Sequence, residues 1–308
     1  MKVFKIDNLS NISKGVFEKH MVRKSRTQKD EFAKYLQENL PDLENFNIEK
    51  YYGNKNIVIG DINNSKYVFT AHYDTPATMW IIPNFLTPKN FLVFILYQLV
   101  ITALMIGIGS VFGYLGTLIG LHFIVGFDLG LILCIIQMMF GFPNKNNYND
   151  NTSGVITLIE LYLSMTAEER KKCVFVFFDN EEKGMLGSAA YNKKHKALME
   201  EREVINFDCV GEGDHILLIH QKVSDDTMSV ISRSCDLENK HIVVSNASKT
   251  IYPSDQTNFK HSIGVAAFNK NKIFGYYIGN IHTKFDKNFD EVNIFLLVEH
   301  FKKLVINE

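Results

Sequence analysis

Neither sign of charge predominates in this 308-residue chain: 33 Lys and Arg face 34 Asp and Glu, a net −1. A nucleic-acid partner is not expected, because phosphate binding draws on a basic excess. Cysteine is scarce. Cys134, Cys173, Cys209 and Cys235 are scattered without a CxxC pair, which reads as free thiols in a reducing compartment and argues against a disulfide frame or zinc knuckle. The stretch "MKVFKIDNLSNISKGVFEKHMVRKS" has no apolar core ahead of a small-residue cleavage site, so no secretory signal is expected. Internal repeats and low-complexity linkers are missing too.

The sharpest absence is local. From Phe91 to Phe142 the only Asp, Glu, Lys or Arg is Asp128. "FLVFILYQLVITALMIGIGSVF" is long enough to cross a bilayer as a helix, which takes about 20 apolar residues. "GYLG", Gly113 to Gly116, offers a break, and "TLIGLHFIVGFDLGLILCIIQMMFGF" is a second span ended by Pro143. The pair reads as an inserted two-helix apolar hairpin, transmembrane, whose ends return to one face; a buried core hairpin, lid or dimer arm is the alternative. Lys89 and Lys145 flank the block while its turn is uncharged. The positive-inside rule then puts both ends, and the polar domain, on the cytoplasmic side of a membrane. Asp128 and His122 lie within the second span. Ionisable groups there are functional suspects, although a neutral Asp128, or one facing a partner helix or a water defect, is preferred.

Outside the block, strand and helix patterns alternate. "DEFAKYLQENL" is helical and stops before Pro41. "NIVIG" and "KYVFTAHYD" read as strands. "NTSGVITLIELYLSM" starts with capping residues and continues as an amphipathic helix. "KKCVFVFFDN" and "VINFDCVG" are apolar runs of the kind buried on both sheet faces. "SAAYNKKHKALMEE" and "EVNIFLLVEHFKKLVIN" read as helices. The expected class is α/β, a mostly parallel or mixed central sheet sandwiched by helices. Residues 1–88 and 143–308 would form one discontinuous catalytic domain and 89–142 the inserted hairpin, a membrane anchor.

Unusual polar residues stand beyond the ends of these apolar runs, the edge where open α/β sheets bind ligands: His72 and Asp74, Asp150, Glu181 and Glu182, Asp208, and His282 after "FGYYIGNI". Singly, each is as well explained as a helix cap or a satisfied hydrogen-bonder. Together, two His and several carboxylates without a competing thiolate suit a hard or borderline dication, zinc first.

The stretches "AHYDTP", "YNDNTSGV", "FVFFDNEEKGMLGSAAY", "INFDCVG" and "IHTKFD" resemble, in order, those of the M28 zinc peptidases, the co-catalytic di-zinc aminopeptidases. The resemblance implies two zinc ions per chain bridged by Asp150, one completed by His72 and Asp208, the other by Glu182 and His282. It makes Glu181 the general base and gives Asp74 the task of fixing the His72 tautomer. Tyr252, in "TIYPSDQTNF", falls near the position of a tyrosine that helps hold the oxyanion. A peptide substrate is implied. Carboxypeptidase, dipeptidase or N-acyl amidohydrolase chemistry stays open, since the ligand set does not set direction. So does a non-catalytic membrane scaffold, whose mark would be a lost ligand. Glutaminyl cyclases share the general fold but use one zinc.

Two features depart from the pattern. Ser254-Asp255-Gln256 replaces Ser-Asp-His. The 76 residues from Asp74 to Asp150 exceed what relatives need by about the length of the greasy block. A hairpin with adjacent ends can be inserted there without moving the flanking ligands, because loop-closure cost grows slowly with length. The sequence sets neither the oligomeric state nor the physiological substrate.

Overall fold

A computed structural model describes residues 7–79, 84–233 and 239–306. Cys235 therefore lies outside the described residues, among which Cys134, Cys173 and Cys209 form no disulfide. In chain order the elements are α1 (Asn11–Lys19), α2 (Arg26–Asn39), β1 (Phe46–Tyr51), β2 (Asn54–Ile59), β3 (Tyr67–His72), α3 (Phe91–Leu118) and α4 (Phe123–Phe140). After them come α5 (Gly154–Ser164), α6 (Ala167–Arg170), β4 (Cys173–Phe178), α7 (Leu186–Lys194), α8 (Lys196–Met199) and β5 (Glu203–Phe207). The chain closes with β6 (His215–Gln221), α9 (Asp225–Ile231), β7 (His241–Asn246), β8 (Ser262–Asn271), β9 (Gly275–Tyr277) and α10 (Glu291–Ile306).

One mixed sheet runs β1-β2-β4-β3-β5-β8-β6-β7, with β9 paired to the end of β8. Its centre, β4-β3-β5-β8, is parallel, so their C-terminal ends share one edge. Strand β4 is buried throughout and alternates strictly. Cys173, Phe175 and Phe177 join the core under α1, α2, α5 and α10; Val174, Val176 and Phe178 join the one beneath α7 and α8. Strand β3 alternates likewise, Tyr67, Phe69 and Ala71 against Val68. Burying such an aromatic or aliphatic side chain contributes roughly 1.5–3 kcal/mol, which is why these apolar runs become central strands.

The helices begin where local chemistry allows. Ser25 and Gln28 form a reciprocal capping box on α2. The segment preceding α5 is not a simple cap: Tyr148–Ser153 forms an irregular turn in which Asp150 and Asn151 are non-helical, and Asn151 Oδ1 accepts the Gly154 N–H at 3.0 Å. The stretch expected as one helix over 188–201 is broken into α7 and α8 at His195.

The apolar block is a hairpin of α3 and α4, both long and apolar enough to cross a membrane. Its turn is not at Gly113–Gly116, as the sequence suggested. Helix α3 runs through those glycines to Leu118, and the chain reverses at Gly120, φ +83°. The glycines serve contact instead of breakage. A Cβ on Gly113 would lie 2.7 Å from the Phe123 ring, and one on Gly126 would lie 2.6 Å from the Phe112 carbonyl. Small residues allow this approach where no hydrophobic drive holds apolar helices together. His122 Nδ1 accepts the Ile124 N–H at 3.4 Å, capping α4, and Asp128 is exposed. The hairpin's ends do return together: the Thr78 N–H donates to the Phe142 carbonyl (2.8 Å), and the Asn144 N–H to the Pro76 carbonyl (2.9 Å).

Candidate active site

Strand β3 delivers His72 at its last residue, and Asp208 follows β5 directly. Glu181 and Glu182 occupy a 3-10 turn beyond β4, and Asp150 the irregular turn before α5. His282 arrives differently. No sheet strand ends there, because β9 is only a short hairpin partner of β8; the residue sits in a loop whose carbonyl accepts the Met79 N–H at 2.7 Å. Three residues beside the cluster, Asn180, Cys209 and His282, hold φ values of 55°, 55° and 60°, a left-handed conformation that costs a non-glycine residue energy and concentrates at functional sites.

Two groups of side chains meet at Asp150. His72, Asp150 and Asp208 each offer an atom within 4.8 Å of the others, and so do Asp150, Glu182 and His282. Asp150 Oδ1 lies 3.3 Å from His72 Nε2, which is 3.6 Å from Asp208 Oδ1. Asp150 Oδ2 lies 2.8 Å from His282 Nε2, which is 3.3 Å from Glu182 Oε2. Each oxygen of one carboxylate thus addresses a separate His-carboxylate pair. Glu181 shares a third grouping with His72 and Glu182.

Both ring nitrogens of His72, Glu182 Oε1 and Asp208 Oδ1 are buried without a hydrogen-bond partner. An orphaned buried polar atom costs about 1–3 kcal/mol; His72 Nε2 and Asp208 Oδ1, 3.6 Å apart beside Asp150, fit a cation ligand set. Electrostatics agree. Burial raises the carboxyls of Glu181 and Glu182 well above the usual range, and neighbouring acids add to this, Asp150 first for Glu182. Burial works against ionising Asp150 too, but His282 and His72 hold its carboxyl low. Burial alone would discharge His72; Asp150, Asp208 and Asp74 outweigh it and raise the imidazole. The cluster is rich in carboxyl groups held close together by its two imidazoles.

Asp74 lies 3.4 Å from His72 Nδ1, and its carboxylate accepts the main-chain N–H groups of Glu181 (3.0 Å) and Glu182 (3.3 Å). It therefore fixes the turn carrying both glutamates as well as facing the imidazole. Tyr252 is buried with its hydroxyl donating to the Asp208 carbonyl at 2.9 Å. Gln256 braces that region: its Nε2 donates to the Tyr252 carbonyl (2.8 Å) and its Oε1 accepts from Asn206 (3.0 Å).

Several residues singled out by no role in the sequence reading hold the frame. Asp286 accepts the N–H groups of Asn149 (2.9 Å) and Asp150 (3.1 Å). Asn151 donates to the Phe207 carbonyl (3.0 Å). Arg23, fully buried, donates to the carbonyls of Tyr73 and His20 (both 2.6 Å) and to Thr152 Oγ1 (3.1 Å), bridging the His72 and Asp150 segments. Asp255 is also buried, its carboxyl pushed up to about 7 by burial against the pull of His72 and Ser188. Asp286 and Asn151 lie inside motifs quoted for other residues; nothing local marks Arg23.

The sequence profile of peptidase family M28 matches residues 141–299. No curated protein matches the chain. Similar solved structures include the LapA aminopeptidase of Legionella pneumophila, at TM-score 0.56 and 14% identity over 96% of this chain and 70% of that one. Porphyromonas gingivalis glutaminyl cyclase aligns at 0.56 and 14% over 96% and 95%. An Acidobacteriales bacterium glutaminyl cyclase aligns at 0.54 and 12% over 100% and 98%. At such identities the likeness is one of fold: a mixed sheet flanked by helices.

Proposed function

Since the chain belongs to peptidase family M28, we propose that it is a zinc-dependent exopeptidase, an aminopeptidase anchored in a membrane by its α3–α4 hairpin. The observation that carries the reading is Asp150, one carboxylate whose two oxygens address two separate His-carboxylate pairs. In this reading His72, Asp150 and Asp208 would hold one zinc ion, and Asp150, Glu182 and His282 a second. Bound zinc supplies a Lewis acid that polarises the scissile carbonyl and makes water acidic enough to be deprotonated near neutrality.

The side chains do the rest. Glu181 is the general base: its carboxylate takes a proton from the attacking water and returns it to the leaving amine. Asp74 holds the main chain of Glu181 and orients His72, so carboxylate and imidazole keep a fixed relation. Tyr252, whose one hydroxyl proton goes to the Asp208 carbonyl in this structure, is the proposed donor to the developing oxyanion once that proton turns from the carbonyl. Residues 1–88 and 143–308 form the catalytic domain, on the cytoplasmic side, and 89–142 the anchor; the partners are a peptide and the bilayer.

The test is a zinc count on protein purified in detergent, followed by a panel of free-amine, N-blocked and C-blocked peptides. Loss of the N-terminal residue from free-amine peptides alone supports the aminopeptidase. Hydrolysis confined to N-blocked or free-carboxylate substrates transfers the assignment to an amidohydrolase or carboxypeptidase, and a zinc-loaded protein that hydrolyses none is a scaffold. A second reading rests on the two similar structures named as glutaminyl cyclases. A peptide with N-terminal glutamine separates it: cyclisation releases ammonia and leaves the chain length unchanged.

A further inference from the structure

We propose that the catalytic domain does not merely hang from its anchor but is seated on the same bilayer, through a collar of loops at the base of the hairpin that binds anionic lipid headgroups. The inference rests on the membrane reading of α3 and α4 and extends it to residues outside them.

Three loops reach that base. The β8–β9 tip carries Ile273, 75% exposed, whose carbonyl accepts Asn90 Nδ2 at 3.4 Å, at the cap of α3. Beside it Phe274 packs edge-on against Phe85 (5.0 Å), and Phe85 meets Tyr97 of α3 (6.0 Å). The loop after His282 carries Phe285, 61% exposed, and its Lys284 carbonyl accepts Asn146 Nδ2 at 3.0 Å, just past α4. On the third side Lys24 Nζ donates to the Met139 carbonyl at 3.3 Å, and Lys183 Nζ lies 5.3 Å from the centre of the Phe140 ring.

Charge complements these apolar tips. Segments 84–90, 139–148, 270–278 and 282–287 contain six lysines and one acid, Asp286. That acid is buried and spent on main-chain N–H groups. The lysine side chains are exposed in a chain whose overall charge is only −1. Exposed apolar side chains set among cations, beside aromatic rings and continuous with two membrane-length helices, match an interfacial surface drawn to anionic lipid. The histidine–carboxylate cluster adjoins this collar. Glu182 precedes Lys183, and the His282 carbonyl is bonded to Met79 where the chain leaves for the hairpin. Seating the collar therefore brings the mouth of the cluster to headgroup depth.

The experiment uses the full chain in nanodiscs of acyl-brominated lipid. Trp80, the only tryptophan, is replaced by Phe, and a single new tryptophan is placed by Ile273→Trp or Phe285→Trp in the collar. Ile132→Trp, in the middle of α4, reports insertion of the anchor. Ile306→Trp is the far control, since Lys172 Nζ, at the opposite sheet edge, donates to the neighbouring Val305 carbonyl. In discs containing anionic phosphatidylglycerol both collar probes should lose fluorescence at least about twofold, as Ile132→Trp does, while Ile306→Trp keeps it. In pure phosphatidylcholine, or with Lys270→Glu and Lys272→Glu, quenching of the collar probes should weaken. Quenching of Ile132→Trp with collar probes as bright as the control would overturn the collar and leave the anchor standing. A bright Ile132→Trp would remove the anchor and the collar together. Equal collar quenching in both lipids would overturn the headgroup attraction.

Discussion

Replacing Glu181 by Gln isolates proton transfer from everything else the cluster does. Gln has nearly the same shape, and the bond that fixes position 181 is its main-chain N–H to Asp74, 3.0 Å long, which the substitution leaves alone. The electrostatic cost to the fold can be bounded. Glu181 offers an oxygen within 4.8 Å of both a His72 nitrogen and a Glu182 oxygen. At an effective dielectric near 20, a unit-charge pair at that separation interacts by about 3 kcal/mol. With no metal bound, burial and neighbouring acids already favour the protonated Glu181 carboxyl, so Gln replaces a neutral group, little of that energy is at stake, and stability should move by only about 1 kcal/mol. Catalysis is another matter. A positioned general base contributes roughly 10²–10⁴ in rate, or about 3–5 kcal/mol of barrier. Glu181→Gln should thus unfold near the wild-type temperature, carry the same zinc at saturation, and release N-terminal residues at least about a hundredfold more slowly. Turnover within tenfold of wild type in a zinc-loaded variant would show that Glu181 is not the base, however well the ligands gather.

Other expectations separate ligand, frame and insertion. Asp150→Asn removes the charge shared by both His-carboxylate pairs, so zinc bound per chain, measured by elemental analysis, should fall by at least one ion; retention of the full wild-type count contradicts bridging. Arg23→Met leaves the Tyr73 and His20 carbonyls without their buried donor and should destabilise the protein by about 3–5 kcal/mol in denaturant titration; a loss under 1 kcal/mol would deny Arg23 its bridging work. Excising Phe91–Phe140 with a short linker should yield a zinc-binding domain that stays in solution without detergent, because Pro76–Thr78 and Phe142–Asn144 already lie side by side; aggregation without zinc binding would make the hairpin part of the catalytic core. His300 is buried in α10 and its imidazole is lowered to about 4, by burial first and then Lys303. The folded value lies below the unfolded one, so stability is full above about pH 6.5 and declines as pH falls towards 4, by up to about 3 kcal/mol. His300→Leu should flatten that slope in thermal melts at pH 4.5–7, and an unchanged slope would mean His300 does not supply it.

The parts of the fold that were legible in the sequence are those where one physical demand dominates. Strand β4 reads as a buried strand because both of its faces are covered, leaving no polar position inside it. Strand β1, "FNIEKY", is an edge strand with no fully buried residue, so its composition carries no such demand and its existence depends on pairing with β2. The hairpin shows a subtler limit. Glycine within an apolar run can mark a break or a close helix contact, and only the partner helix decides between them. Gly113 and Gly126 pass within reach of the opposite helix, so continuing α3 to Leu118 gains contact that a turn at Gly113 would forfeit.

The candidate site divides along the same line. Residues able to present an atom to a cation are limited to a few chemical types, and His72, Glu182 and Asp208 sit where the chain leaves the sheet while Asp150 opens the turn before α5, which makes all four conspicuous. Residues that hold those atoms in place can be anything with a donor or acceptor at the right distance. Arg23 works by reaching a carbonyl 50 positions away and a hydroxyl 129 positions away, a relation no local spacing encodes. Asp286 is in the same position relative to Asp150, even though it lies four residues from a candidate ligand. His282 shows the converse: its chemistry was conspicuous, but its route was not, because the strand before it is a hairpin stub and the residue is fixed by the Met79 N–H instead. That contact joins a proposed ligand to the chain segment entering the hairpin.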